Sequence, residues 1–260
     1  MRPAAPALPS VIGHRGASAY APENTLAGFH AAKARGCIWV EFDVRLCADG
    51  VPVVCHDDRL ERTSDARGRI SQLPLTAIRQ CDAGGWFNEK FAGERVPTLD
   101  ETLACCGELG LGANIEIKAE RGQARRTAAA VAACLDKLPS SLPPILVSSF
   151  IPEAVAEAAE RAPHVPRGML WTKIPRGWAK IAEQLGCATI NADQGHLTQA
   201  IVAEVTSAGY PVLAYTVNER DRARQLFNWG VASVFSDVPD IIASIAGPRG
   251  TAGARQGACC

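Results

Sequence analysis

Residues 39–56 read WVEFDVRLCADGVPVVCH, and the period and spacing of this stretch decide the fold. In an extended chain, successive side chains face opposite ways. Glu41, Asp43 and Arg45 therefore share one face of WVEFDVRL, and Val40, Phe42 and Val44 share the other. A second β-branched run, Val53 to His56, follows Val44 after about eight residues around Asp49-Gly50. That is too few for the crossover of a dozen or more residues that parallel strands need.

Outward from this stretch, short β-branched runs recur: Val11 to His14, Ala113 to Ile117, Ile145 to Ser149, Gly168 to Trp171, Thr189 to Asn191, Val212 to Val217 and Ser233 to Ser236. Helical patterns separate them, with their own start and stop signals. Asn24 is placed to cap a helix that ends at Gly36, and Thr98 with Glu101 makes a T-x-x-E capping box. Thr198 opens a helix ended by Gly209, and Asn218 opens one ended by Gly230.

Alternating strands and helices imply an α/β fold with a mostly parallel sheet, and about eight such units imply closure into a (β/α)8 TIM barrel. Nine candidate strands are one too many, so the barrel is expected to be irregular between Val44 and Val53. Residues 57–96 hold one weak helix, Leu75 to Cys81, and the aromatics Trp86, Phe87 and Phe91. They read as an inserted cap segment within one domain spanning 1–260. The Gly-, Ala- and Arg-rich residues 246–260 read as a disordered tail, and its Cys259-Cys260 end has no other membrane signal beside it.

Lys plus Arg balance Asp plus Glu at 27 each, which excludes the broad positive field of a nonspecific nucleic-acid or anionic-membrane binder. No stretch approaches the roughly 20 apolar residues of a membrane span, and no secretory leader is evident, so a cytoplasmic protein is expected. The ten cysteines are scattered without a CxxC pair and read as reduced, buried thiols.

In NIEIK the strand period again groups Asn114, Glu116 and Lys118 on one face, with Ile115 and Ile117 opposite. If the apolar faces pack under helices, then Glu41, Asp43 and Glu116 point into the barrel. Like charges there would take up protons unless a cation sat among them, and hard carboxylate oxygens suit Mg²⁺ or Ca²⁺. His14 and His56 end two further strands, at the edge where barrels build active sites, and are suited to act as an acid and base pair. Arg15 and Lys118 are suited to phosphate oxygens, and the flanking Gly13 and Gly16 are expected to let backbone approach the ligand. His30 and His164 read as surface or packing residues, and His196 leans the same way.

The blocks GHRGASAYAPENTLAGF, VEFDVRLCADGVPVVCHDDRLERTS, VPTLDETL, NIEIK, SSF, AYTVN and FSDVP together resemble the glycerophosphodiester phosphodiesterases, in particular the cytoplasmic bacterial type. The resemblance covers nearly the whole chain. It implies a distorted barrel with an insertion after the third strand, and a divalent cation, Mg²⁺ or Ca²⁺, on Glu41, Asp43 and Glu116. It also implies His14 and His56 as catalytic residues, with Arg15 and Lys118 binding phosphate. The family reaction has the glycerol 2-hydroxyl attack phosphorus, the head-group alcohol leave, and water open the cyclic phosphate to glycerol 3-phosphate. Tyr215 stands where the family's W-T-V-N block has Trp, and with Phe150 it is expected to form a substrate wall, while Trp171 is expected to pack in the core. The expected partner is a small glycerophosphodiester, without nucleic acid or stable membrane association. The alternatives are a lysophospholipase D or sphingomyelinase D-like enzyme on the same barrel, or a non-catalytic phosphate-binding protein.

Overall fold

In the computed structural model of the chain, the residues described are 3–137 and 143–245. The tail from Ala246, expected to be disordered, lies outside them. Nine strands form: β1 Val11–Gly13, β2 Trp39–Leu46, β3 Pro52–Val54, β4 Gly112–Ile117, β5 Ile145–Ser149, β6 Arg167–Trp171, β7 Thr189–Asp193, β8 Val212–Tyr215 and β9 Ser233–Ser236. All but β3 run parallel, pairing in sequence around a ring that closes where β9 meets β1. Helices between the strands complete the TIM barrel. The expected irregularity is an antiparallel hairpin. β3 pairs with β2 from outside the ring, Val44 opposite Val54, through a turn in which Gly50, at φ 76°, donates to the Cys47 carbonyl at 3.0 Å.

The strand period sorts side chains as the sequence suggests. Val40, Phe42 and Val44 join Ile115 and Ile117 in the layer under the helices, against Phe29, Leu99 and Val131. The barrel interior is plugged by Ile12, Trp39, Leu146, Leu213 and Phe235. Trp39 fits because residue 112 lacks a side chain, since a Cβ there would lie 2.4 Å from the indole. On the same face of β2, nearer its C-terminal end, come Glu41 and then Asp43.

The capping box at Thr98 forms as expected, and Thr198 caps the helix Gln199–Ser207. Two expected caps are wrong. The helix Leu26–Ala34 is capped by Thr25, whose side chain accepts from the Gly28 N–H, and Glu219, not Asn218, precedes the helix Arg220–Trp229. Both asparagines are drawn into polar networks described below. The weak helix at Leu75 ends at Ile78 rather than Cys81. Residues 57–96 carry their own small core, Leu60, Ile70, Ile78, Cys81 and Ala83, packed on Val53 and Cys55 beside β3. Eight cysteines among the described residues are unpaired and buried. Burial pushes the thiols of Cys37, Cys55 and Cys106 up to about 12, which makes them inert. Among the described residues, no helix is long and apolar enough to cross a membrane.

Candidate active site

Parallel pairing of β2 with β4 sets Asp43 beside Glu116 and Glu41 beside Asn114. One oxygen from each of Glu41, Asp43 and Glu116 lies within 4.8 Å of the others. Two cations already lean on the cluster. Lys118 Nζ stands 2.7 Å from Glu116 Oε1 and 3.4 Å from Asp43 Oδ1, and Arg15 Nε stands 3.3 Å from Asp43 Oδ2. The Arg15 backbone N–H donates to Glu41 Oε2 at 3.0 Å.

These charges do not suffice to ionise all three acids. Burial, followed by the charges of Asp43 and Glu116, pushes Glu41 well above the usual carboxylate range. Burial and Asp43 raise Glu116 to about 7. Burial also works against Asp43, but Lys118, Arg15 and His56 outweigh it and hold that carboxyl down to about 2. The cluster thus keeps protons at neutral pH that a divalent cation would displace. The donor set fits such an ion: every ligand is a hard oxygen, and the buried Glu41 Oε1 and Asn114 Oδ1 have no hydrogen-bond partner among the described residues.

Each histidine has one ring nitrogen engaged by a carboxylate. His14 Nδ1 lies 2.6 Å from Asp237 Oδ1, and His56 Nδ1 lies 2.7 Å from Asp57 Oδ1. Asp237 is itself fixed, accepting from Ser18 Oγ and Asn218 Nδ2 at 2.6 Å each. His14 Nε2 is 3.9 Å from Glu41 Oε2. Burial, aided by the charges of Lys118 and Arg15, lowers the His56 pKa against the pull of Asp43 and Asp57.

Eight of the nine predicted site residues line one cleft with about 440 Å³ of empty space, open solvent at its mouth included: His14, Arg15, Glu41, His56, Glu116, Lys118, Phe150 and Tyr215. The ninth, Asp43, is buried beside Glu116. Phe150 and Tyr215 meet edge to face at 5.8 Å, and the Tyr215 hydroxyl donates to the Trp171 carbonyl at 2.9 Å. Trp171 packs on the apolar layer outside β6–β8. Arg45 turns away from the acids with which it shares a strand face, and its Nε donates to the His56 carbonyl at 2.8 Å. His30, His164 and His196 are exposed and outside the cleft.

Sequence reasoning missed Glu23, Asn24, Asp57 and Asp237. Asn24, at φ 58°, donates to Asp43 Oδ2 at 2.9 Å and accepts from the Asp43 N–H at 3.2 Å. Glu23 accepts from Arg15 at 2.8 Å. All four lie inside the matched blocks PENT, HDD and FSDVP, and adjacency to a histidine was a usable signal for Asp57. The glycines beside Arg15 are required by packing within the chain itself. A Cβ at residue 13 would lie 2.3 Å from the Gly16 carbonyl, and one at residue 16 would lie 2.6 Å from the Gly28 backbone. They fold the loop onto its own helix, so close packing of the chain accounts for both without any ligand.

Comparison with known proteins gives the family. Residues 14–241 match the sequence profile of the Glycerophosphoryl diester phosphodiesterase family. A glycerophosphodiester phosphodiesterase of Caldanaerobacter subterraneus subsp. tengcongensis is 30% identical over 240 residues, 90% of this chain and 96% of its own length. An Oleispira antarctica phosphodiesterase, solved with the product sn-glycerol-3-phosphate, superposes with a TM-score of 0.89 at 41% identity, covering 92% of this chain and 96% of the other. A glycerophosphodiester phosphodiesterase from Agrobacterium tumefaciens superposes at 0.73 with 28% identity, covering 91% and 100%.

Proposed function

Since the chain belongs to the glycerophosphoryl diester phosphodiesterase family, and is thereby a phosphoric diester hydrolase, we propose that it cleaves glycerophosphodiesters to glycerol 3-phosphate and an alcohol by cation-assisted acid–base chemistry. One observation carries the mechanism: three carboxylate oxygens from two strands gather within 4.8 Å, in or beside a cleft lined by two imidazoles, a guanidinium and an ammonium. Mg²⁺ or Ca²⁺ would be held by Glu41, Asp43 and Glu116, and supplies positive charge that offsets the negative charge developing on phosphoryl oxygens.

Arg15 and Lys118 bind and orient the phosphodiester from either side of the acids. Burial lowers the His56 pKa and so favours its neutral form. His56 accepts the proton of the glycerol 2-hydroxyl as that oxygen bonds to phosphorus. His14, steadied by Asp237, donates a proton to the departing alcohol oxygen. The roles then reverse: His14 takes a proton from water as it opens the cyclic phosphate, and His56 returns one to the 2-oxygen. Phe150 and Tyr215 exclude water on the glycerol side. The product complex of the Oleispira antarctica relative supports glycerol 3-phosphate as the common fragment, and eight unpaired thiols support a reducing, cytoplasmic setting.

The test is release of glycerol 3-phosphate from glycerophosphocholine or glycerophosphoethanolamine by purified protein with Mg²⁺ or Ca²⁺. His14→Ala and His56→Ala should each lower turnover by roughly 10²–10⁴-fold. Undiminished turnover after dialysis into excess EDTA would remove the cation from the scheme, and near-normal rates in either variant would remove that histidine.

A further inference from the structure

His56 stands two residues beyond β3, the strand outside the barrel ring, whereas Arg15 follows β1 within it. His56 is joined to the ring through the β2–β3 hairpin and Arg15 through β1, so in the sheet ladder these two groups are related only by way of β2. The guanidinium of Arg62, from the inserted segment, spans the gap. Along one edge, its Nε and Nη2 donate to Asp57 Oδ2 and Oδ1 at 2.6 and 3.1 Å. At its other edge, Nη1 and Nη2 donate to Glu23 Oε2 and Oε1 at 2.8 Å each. Asp57 Oδ1 also engages His56 Nδ1, and Glu23 Oε1 also accepts from Arg15 Nη1. An unbroken chain thus runs Arg15–Glu23–Arg62–Asp57–His56.

We propose that Arg62 is a positioning residue of the reaction, tying the phosphate-binding Arg15 and the imidazole of His56 into one rigid unit through two bidentate carboxylate clamps. The proposal rests on the roles given to Arg15 and His56 above. Only a planar fork can serve both carboxylates at once, and a lysine ammonium cannot reproduce two parallel pairs of donors. Arg62 is nearly half exposed, and exposed ion pairs contribute little to stability, so its loss should leave the fold in place and register in function. Arg62 is the largest influence holding the Asp57 carboxyl below the usual range, which matches the bidentate geometry.

The experiment compares Arg62→Ala and Arg62→Lys with the unaltered chain on glycerophosphocholine in Mg²⁺, with thermal melts to confirm folding. Arg62→Ala should keep its melting temperature within a few degrees and lose about 10- to 100-fold in kcat, the usual scale for a misplaced catalytic group. Arg62→Lys should recover little of that loss. The limb of the pH–rate profile that reports His56 should move to higher pH, because Asp57 then acts on the imidazole uncompensated. Of the other groups that face it, Asp43 and Lys118 are not held by Arg62, and release of Arg15 removes a charge that lowers this pKa and so moves the limb the same way. Arg62→Ala combined with Asp57→Asn should cost less than the product of the separate losses. Wild-type kcat and an unmoved profile in folded Arg62→Ala, or full activity in Arg62→Lys, would overturn the proposal. Arg15→Ala and His56→Ala run in parallel. If they stay active, the reading of the site falls and the positioning role falls with it. If they are inactive while Arg62 variants are normal, only the positioning role is lost.

Discussion

Stabilisation of the metal-free protein by Mg²⁺ or Ca²⁺ should grow from pH 5 to pH 8, because the folded chain holds protons that its unfolded form would release. Glu116 titrates at about 7 in the folded chain against 4.5 for the free side chain. Between those values the native state binds more protons, so stability falls as pH rises through the window, and the penalty is complete above pH 7. Moving that carboxyl from 4.5 to about 7 corresponds to about 3 kcal/mol, at ~1.4 kcal/mol for each factor of ten in proton affinity. Glu41 is displaced in the same direction. Asp43, held down to about 2, works the other way: its contribution is lost only as pH falls through that value, so it is silent between pH 5 and 8. A cation arriving at pH 8 meets ionised oxygens and relieves their repulsion, whereas at pH 5 it must first displace protons. For a chain of this size, 3 kcal/mol corresponds to roughly 6–12 °C in melting temperature. Thermal melts at pH 5, 6, 7 and 8 with saturating cation or EDTA measure the difference. An equal or smaller shift at pH 8 would refute the reasoning, as would a pH dependence that survives intact in Glu116→Gln.

Two further outcomes follow from the contacts. Asp237→Asn should lower kcat by about 100-fold, or about 2.7 kcal/mol, near the value of one hydrogen bond to a charged group. The new amide has one oxygen where Asp237 has two, so it opposes a donor either to Asn218 Nδ2 or to His14 Nδ1 and takes away the negative charge beside the imidazole in both cases; steady-state kinetics should show the loss with circular dichroism unchanged. Gly16→Ala should destabilise the chain by about 3 kcal/mol in urea titrations, because φ 90° disfavours a side chain and the added Cβ meets Gly28 backbone at 2.6 Å.

The barrel was legible in the sequence because strand period and helix spacing are local properties, and the period of WVEFDVRL and NIEIK grouped the acids on one face, which turns inward once the opposite apolar face packs under the helices. The short Val44–Val53 link announced an irregularity, but only pairing revealed it as a hairpin outside the ring. What escaped was polar side chains with two available uses. Asn24 and Asn218 both carry good capping chemistry, and local propensity assigns them to helix ends. In the fold Asn24 instead brackets Asp43, and Asn218 clasps Asp237. Nothing local distinguishes the two uses, since the competing partner lies 19 residues away in each case. Arg45 shows a different limit of local reasoning. Its strand face was read correctly, but a long side chain is not bound to its Cβ direction, and it reaches the His56 carbonyl instead.

Charge balance explains why the acids are gathered so closely and yet only partly neutralised. Fully ionised, Glu41, Asp43 and Glu116 carry three negative charges against two positive ones on Arg15 and Lys118. A divalent ion brings the group to one positive charge, and a phosphodiester monoanion brings it to zero. Neither ligand alone leaves the buried cluster neutral, whereas both together do, so each favours binding of the other and the coupling is reciprocal. Glu23 and Asp57 add two negative charges beside the cluster and Arg62 answers one of them from the surface side, so one negative charge remains there to favour a cation further. A barrel interior suits such an arrangement: the strands hold the acids at fixed register, so their repulsion cannot be relaxed by moving apart and is relieved only by a proton or a cation.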